Sequence, residues 1–327
     1  MKVLDARFQS CADLQSLSQP VSPNLSALQL SEGPLVGRLR IISCGFFRLN
    51  QLEINQTLFL SGTRRPRPCT IAIPLSDPPA TDPIRAQGVC MPWPGMMGYN
   101  DQLNDFDLRL PAGTTLATVT ISRDHLLERH SQHRAGQLTL DRWRDTNQLE
   151  LREPLRSELR ARLRHLIEQH DQATDPREVD ELIGCLLRAF EDVEVDSMTF
   201  GQREARHEAA IELLHWFSCH SDQNLTMDEL SAVLYQSRTS LFKGCQEHFG
   251  QTPQKLQRSI RLDLVRQLLL DPNRCDGIHL QGVGAIAAHL GFTSRSHFAR
   301  RYRKQYGELP QETLQRNKTP GGSDPLP

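Results

Sequence analysis

Apolar positions between about residues 25 and 122 cluster into short segments separated by turn-forming residues. The clearest segments read GRLRIISCGFFRLNQLEI, TLFLSG, CTIAIPLSD and TTLATVTIS, and they are rich in β-branched and aromatic residues. Turn material such as Gly33-Pro34 and Ser61-Gly62 lies between them. This pattern predicts a β-rich domain over residues 1–122, with short strands arranged in a barrel or a sandwich.

After residue 123 the apolar spacing becomes that of amphipathic helices. Leucines recur at three- and four-residue intervals in LREPLRSELRARLRHLIEQH (151–170), and DPREVDELIGCLLRAFEDV (175–193) repeats the pattern after an Asp-Pro start signal. The two segments predict a helical hairpin in a linker or dimerisation region over residues 123–204. The periodicity breaks at VDSMTFGQ, so a further domain is expected over 205–318, followed by a disordered tail at 319–327.

The C-terminal region reads as helix throughout and contains an internal repeat. YQSRTSLFKGCQEHFGQTPQ (235–254) aligns without gaps on FTSRSHFARRYRKQYGELPQ (292–311), at an offset of 57 residues. Lys243 matches Arg300, and Gly250 matches Gly307. A fixed-offset match of apolar, basic and turn-forming residues indicates a duplicated structural unit.

Each copy contains the parts of a helix-turn-helix. In the first copy Thr226 and Glu229 predict a capping box, and Ser237 predicts the N-cap of a second helix. In the second copy Gly291 suits a left-handed helix stop, and Thr293 or Ser294 caps the helix that follows. A connector of about 17 helical residues spans ~25 Å and would hold the two second helices near one DNA turn apart.

The second helix of each copy leaves a face of polar and basic side chains open. Arginine can form two hydrogen bonds with the guanine edge in the major groove, and Ser, Thr and His make shorter contacts. The predicted base contacts are Arg238, Thr239, Ser240 and Lys243 in the first copy, and Arg295, Ser296, His297 and Arg300 in the second. Arg301, Arg303 and Lys304 are expected to contact phosphates, which position a protein on DNA without specifying sequence.

The C-terminal region resembles the AraC/XylS family of transcription regulators. The strongest match is IAAHLGFTSRSHFARRYRKQYGELP (286–310), with the family's Ile-Ala, Gly-Phe, Ser-x-x-Phe, arginine-rich middle and Gly-x-x-Pro. The resemblance covers about residues 205–316, and the first copy departs from it at Leu234, where many members have glycine. It implies an α+β chain of two domains, with an N-terminal cupin-like β-barrel, a helical linker and an all-α double helix-turn-helix domain. It also implies a homodimeric activator whose partners are double-stranded DNA, RNA polymerase and a small-molecule effector.

Composition changes this picture little. Residues 205–318 carry four more basic than acidic residues, while residues 1–204 carry four more acidic than basic ones. No apolar run approaches the length of a membrane span, and the N-terminus lacks the apolar region of a signal peptide. A cytoplasmic, nucleoid-associated protein without membrane partners is therefore expected.

The eight cysteines include no CxxC pair and residues 1–124 contain no histidine, so no cofactor or metal site is expected.

Other segments suggest alternative functions. MPWPGMMGYND gathers Trp93, Met96, Met97 and Tyr99, which are candidate effector-binding residues, although a loop packed on the barrel explains them too. GVGAIA matches a dinucleotide fingerprint but lacks the surrounding βαβ unit. A DNA-repair-type fusion enzyme is disfavoured, because the chain has no G-x-S-x-G, H-E-x-x-H or Pro-Cys-His-Arg motif. A partner-binding protein that does not bind DNA is the remaining alternative.

Overall fold

A computed structural model of the protein describes residues 2–63, 68–91, 93–98, 105–132, 146–169, 175–192, 194–199, 204–271 and 282–318. The chain divides into two compact units. The N-terminal unit comprises Met1–Ala27 and Val36–Arg203, and the C-terminal unit comprises Leu28–Leu35 and Glu204–Pro327. Segment 28–35 therefore belongs to the C-terminal unit, whereas the sequence predicts it in the first domain. The predicted disordered tail at 319–327 lies outside the described residues.

The described strands form two antiparallel sheets. In chain order they are β1 (Lys2–Phe8), β2 (Ser26–Gln29), β3 (Gly37–Cys44), β4 (Phe47–Ile54), β5 (Leu58–Thr63), β6 (Pro68–Pro74), β7 (Arg85–Ala86), β8 (Val89–Cys90), β9 (Gly95–Met97), β10 (Asp105–Leu110), β11 (Thr115–Ser122), β12 (Gln148–Glu150) and β13 (Ser197–Met198). The large sheet has the order β1-β3-β4-β11-β6-β9-β12-β13, and the small sheet has the order β2-β5-β10-β7-β8.

The prediction of a β-rich N-terminal part is confirmed, but the described strands do not close into a single barrel. β1 and β13 are the outer strands of the large sheet, and β2 and β8 are those of the small sheet. Closure requires outer strands that pair along their length. β8 and β13 are only two residues long, so each offers few hydrogen-bonding groups to a further strand.

Four described helices belong to the N-terminal unit: α1 (Cys11–Ser18), α2 (Arg123–Gln132), α3 (Leu155–Glu168) and α4 (Pro176–Glu191). The predicted helices at 151–170 and 175–193 are present as α3 and α4, and Asp175 caps α4 by accepting from the Arg177 N–H. Their apolar faces share one core with the large sheet, including Leu163, Leu182 and Val119. Region 123–204 is therefore not purely helical, because β12 and β13 within it extend the large sheet.

The described part of the C-terminal unit contains helices α5 (Ala205–Cys219), α6 (Met227–Val233), α7 (Arg238–Phe249), α8 (Pro253–Leu270), α9 (Gly282–His289), α10 (Arg295–Tyr306) and α11 (Pro310–Lys318). The prediction of an all-α C-terminal part is confirmed. Connector α8 has Thr252 as its N-cap and Pro253 in its first turn, and its 18 residues span about 27 Å. Val265 of α8 shares a core with Ile286 of α9 and Phe298 of α10. None of the described helices is long and apolar enough to cross a membrane.

Candidate nucleic-acid interface

The first helix-turn-helix motif consists of α6 and α7. The predicted capping box is present: Thr226 Oγ1 accepts from the Glu229 N–H at 3.3 Å, and the Thr226 N–H donates to the Glu229 carboxylate at 2.7 Å. This backbone hydrogen bond lowers the pKa of Glu229. Ser237 caps α7 by accepting from the Ser240 N–H at 3.0 Å, and α7 ends at Gly250 in the left-handed conformation.

A buried face of α7 anchors the first motif on α5. Leu241, Cys245 and Phe249 are at most 1% exposed. A Cβ added to Gly244 would lie 2.3 Å from the carbonyl oxygen of Arg206 on α5, so the absence of a side chain permits this close approach. Burial raises the pKa of the Cys245 thiol to about 12, so this cysteine stays protonated and contributes packing rather than reactivity.

The second helix-turn-helix motif consists of α9 and α10. Ser294 caps α10 by accepting from the His297 N–H at 3.5 Å, and α10 ends at left-handed Gly307. Phe298 and Tyr302 are buried, and the Tyr302 hydroxyl hydrogen-bonds with Thr313 Oγ1 of α11 at 2.9 Å. The second helices of the two motifs therefore share a serine cap, a buried anchor and a glycine stop at the predicted offset.

The turns of the two motifs differ in length. In the second motif two residues separate left-handed Gly291 (φ 80°) from Ser294. In the first motif the left-handed residue is Tyr235 (φ 52°), and only Gln236 separates it from Ser237. The ungapped alignment matches Leu234 to Gly291. In the structure, the residue of the first motif that has the left-handed backbone conformation of Gly291 is the next one, Tyr235. Leu234 instead has helical backbone angles at the end of α6.

The predicted DNA contacts on α7 lie at the surface to different degrees. Arg238, Thr239 and Lys243 are exposed, and Ser240 is half-buried. The Arg238 guanidinium forms an ion pair with Asp228 of α6. The Ser240 hydroxyl hydrogen-bonds with that of Ser237 at 2.9 Å, so Ser240 also takes part in the cap. Thr239 and Lys243 lie one helical turn apart, and both are exposed.

The predicted contacts on α10 are all exposed: Arg295, Ser296, His297, Arg300, Arg301, Arg303 and Lys304. Arg300 and Lys304 are four residues apart and share a face with His297, away from buried Tyr302. Lys304 Nζ lies 2.8 Å from a carboxylate oxygen of Glu32, in segment 28–35 of the same unit. One predicted phosphate contact is therefore neutralised by an acidic residue.

Comparison with known proteins identifies this region. A family model described as a helix-turn-helix domain matches residues 230–316. XylDLEGF operon transcriptional activator 1 of Pseudomonas putida is 33% identical over 96 residues, which cover 29% of this chain and 28% of that protein. The HTH-type transcriptional regulator ArgR of Pseudomonas aeruginosa is 28% identical over 102 residues, which cover 31% of this chain and 28% of that protein. The C-terminal region belongs to the AraC/XylS family.

The chain spans 28% of the length of the first curated relatives that it matches. A solved structure of a probable AraC family transcriptional regulator from Rhodopseudomonas palustris is 32% identical. It covers 34% of this chain and 97% of that chain, with a TM-score of 0.30. These relatives are named as transcriptional regulators and not as enzymes, in agreement with the sequence prediction.

The AraC/XylS-type domain also contains a basic cleft that the sequence analysis missed. A cavity of about 330 Å³ between α8 and α10 is lined by residues that include Lys255, Arg258, Arg300, Arg301, Lys304 and Glu32. Burial lowers the pKa of Arg258, and the positive charge of Arg301 lowers it further. Because arginine stays charged, the cleft carries excess positive charge that suits phosphate. The three-residue spacing of Lys255 and Arg258 on α8 is the signal that sequence reasoning overlooked.

The candidate effector residues lie in the N-terminal unit, outside the AraC/XylS-type domain. Met96 and Met97 of β9 are at most 3% exposed, and Met96 belongs to the main core. Trp93 is half-buried, and its indole N–H is buried with no hydrogen-bond acceptor among the described residues. Tyr99 lies outside the described residues. Of the described residues Trp93, Met96 and Met97, only Trp93 combines partial exposure with an unsatisfied polar group.

Proposed function

We propose that the protein is a transcription regulator that inserts α7 and α10 into successive major grooves on one face of double-stranded DNA. The observation that carries this proposal is the matched pair of second helices, with the same caps, anchors and stops, on one connecting helix. Successive major grooves on one face of DNA lie ~34 Å apart. A connector of about 27 Å, with one motif packed at each end, suits that separation.

The side chains of this surface divide into proposed base-reading and proposed phosphate-contacting groups. The proposed base contacts are Arg238, Thr239, Ser240, Lys243, Arg295, Ser296, His297 and Arg300, and the proposed phosphate contacts are Arg301, Arg303 and Lys304, with Lys255 and Arg258 added from the cleft. Arg238 would have to leave Asp228 to reach a base. Arg300 has no acidic partner among the described residues, which makes it the strongest base-reading candidate.

The proposal extends to the N-terminal unit as a region for dimerisation and effector response. The P. putida relatives are named operon transcriptional activators, which supports activation through RNA polymerase. The buried indole N–H of Trp93 is a donor that a small-molecule effector could satisfy. Two copies in a homodimer would read paired operator sites. Binding to genomic DNA would place the protein in the cytoplasm, at the nucleoid.

The test is selection of bound sequences from random duplexes by the full-length chain, followed by affinity measurements on the selected site and its single-base variants. We expect Arg300→Ala to weaken the free energy of binding to the selected site by roughly 1–3 kcal/mol and to remove the sequence preference at one base pair. The matched variant Arg303→Ala should weaken binding to all sequences alike. It should also reduce the salt slope, the slope of log affinity against log salt concentration, by about one. If the full-length chain selects no sequence, the proposed function is wrong. Uniform weakening by Arg300→Ala would instead make Arg300 a phosphate contact.

A further inference from the structure

The two helix-turn-helix motifs are joined by α8, and a helix alone does not determine how each motif is turned about it. Side-chain contacts on α8 must supply that constraint. Arg261 lies near the middle of α8, and it is only 8% exposed although arginine is usually an exposed residue. Its buried guanidinium therefore needs hydrogen-bond acceptors from the surrounding structure.

All the acceptors recorded for Arg261 lie in the loop between α5 and α6, which leads into the first motif. Nε donates to the carbonyl oxygen of Ser221 at 2.7 Å, and Nη2 donates to that of Gln223 at 2.6 Å. Nη1 donates to the side-chain oxygen of Asn224 at 2.7 Å. Gln257, one turn earlier on α8, also donates to the Gln223 carbonyl at 3.1 Å. The guanidinium thus fastens the start of the first motif to the connector.

The same guanidinium also lies close to the turn of the second motif. A Cβ added to Gly291 would lie 3.2 Å from Arg261 Nη1 and 3.3 Å from Asn224 Nδ2. Gly291 is the left-handed residue between α9 and α10, so the guanidinium lies near the start of the second reading helix. Arg261 and Asn224 therefore fill the space between the loop of the first motif and the turn of the second.

We propose that Arg261 is a positioning residue that sets the relative orientation of α7 and α10, and with it the half-site spacing that the protein accepts on DNA. This inference rests on the proposed function, because spacing matters only if both helices bind one duplex. The planar guanidinium reaches three acceptors in fixed directions at once. A lysine ammonium keeps the charge but cannot reproduce that fork.

The expected consequence concerns cooperation between the motifs rather than the affinity of either one. When two binding modules are held at the correct separation, the second binds at a high effective concentration, and this advantage is lost when the geometry is wrong. A loosened orientation should therefore weaken binding to the full site and make the remaining binding less sensitive to spacing. Binding to one half-site should stay nearly unchanged.

The experiment compares full-length wild type, Arg261→Lys and the matched control Arg206→Lys. Arg206 is an exposed residue of α5 in the same unit, and a lysine there keeps the charge that pairs with Glu247. The probes are the site selected by wild type, the same site with one half scrambled, and versions with one or two base pairs inserted between the halves. For Arg261→Lys we expect about tenfold weaker binding to the full site, a half-site affinity within about twofold of wild type, and a flatter dependence on spacing.

Three results would overturn the inference. Arg261→Lys could show the spacing profile of wild type and Arg206→Lys, or it could lose half-site and full-site affinity equally. If Arg261→Lys does not fold, Asn224→Ala becomes the deciding variant, because Asn224 is exposed and its substitution removes one of the acceptors of Arg261. The third overturning result is a spacing profile of Asn224→Ala that equals that of wild type. Absence of DNA binding by wild type would instead contradict the proposed function.

Discussion

Tyr235 combines an unfavourable backbone conformation with a side chain that gains almost no burial. Its φ of 52° lies in the left-handed region, which bulky residues rarely adopt, and the residue is 95% exposed. The 57-residue repeat does not predict this, because an ungapped alignment implies turns of equal length, whereas the two turns differ by one residue. Whether the left-handed position falls on residue 234 or 235 depends on where α6 stops.

We expect Tyr235→Gly to raise the free energy of unfolding by about 1 kcal/mol, because glycine relieves the left-handed strain and removes little packing. Urea unfolding of the full-length chain measures the change. The matched control is Gly291→Ala, at the corresponding turn of the second motif. Alanine would take on the strain there and approach Arg261 Nη1, so this variant should be less stable. A Tyr235→Gly protein no more stable than wild type would contradict the argument.

At the scale of elements, the helix ends are the features that sequence predicts best. The caps at Thr226, Ser237 and Thr252 each depend on a hydrogen bond to a backbone N–H three residues away, and all three are present. Elements that form only through contacts with distant parts of the chain are not predicted by the local sequence. β12 and β13 are three and two residues long, and they exist as strands only because the large sheet is beside them.

Gly244 illustrates the same limit within α7. Helix propensity alone favours alanine over glycine in a helix interior by about 1 kcal/mol. The close approach of α7 to α5 reverses this expectation, because a Cβ at residue 244 would lie 2.3 Å from a backbone oxygen that cannot rotate away. The residue that imposes the constraint, Arg206, lies on α5, and nothing in the local sequence around α7 indicates it.

We expect Gly244→Ala to lower the free energy of unfolding by about 2 kcal/mol, since the cost of overpacking exceeds the gain in helix propensity. Gly284→Ala in α9 is the matched control. The nearest atom to a Cβ there is 3.7 Å away, on the Arg295 side chain, so this variant should be as stable as wild type or slightly more stable. Thermal unfolding of both variants tests the difference. Stabilisation by Gly244→Ala would show that α5 and α7 separate at little cost.

At the scale of the whole molecule, the C-terminal unit is not one continuous stretch of sequence. Segment 28–35 joins it through polar contacts: the Gln251 side chain donates to the Leu30 carbonyl at 2.5 Å, and the Gly33 N–H donates to the Gln305 carbonyl at 3.1 Å. Periodicity cannot reveal such contacts, because they join residues more than 200 positions apart and involve no motif. A fragment limited to residues 205–318 would therefore lack part of its own unit.

Segment 28–35 also changes the charge available for DNA. Glu32 pairs with Lys304, one of the proposed phosphate contacts, at the edge of the basic cleft. We expect Glu32→Gln to increase DNA affinity about two- to fivefold, because an exposed ion pair is worth up to ~1 kcal/mol and Lys304 would no longer have to leave its partner. The salt slope should steepen by about one. Affinity for the selected duplex, measured at several salt concentrations, provides both values.

The matched control is Glu208→Gln on α5, which removes the same charge from an exposed position of the same unit, away from the cleft. A general effect of net charge would raise affinity equally in both variants, whereas a local effect requires a larger gain from Glu32→Gln. Equal gains would therefore contradict the role given to the Glu32–Lys304 pair. A gain confined to Glu32→Gln would mean that a segment near the start of the chain reduces the DNA affinity of a domain near its end.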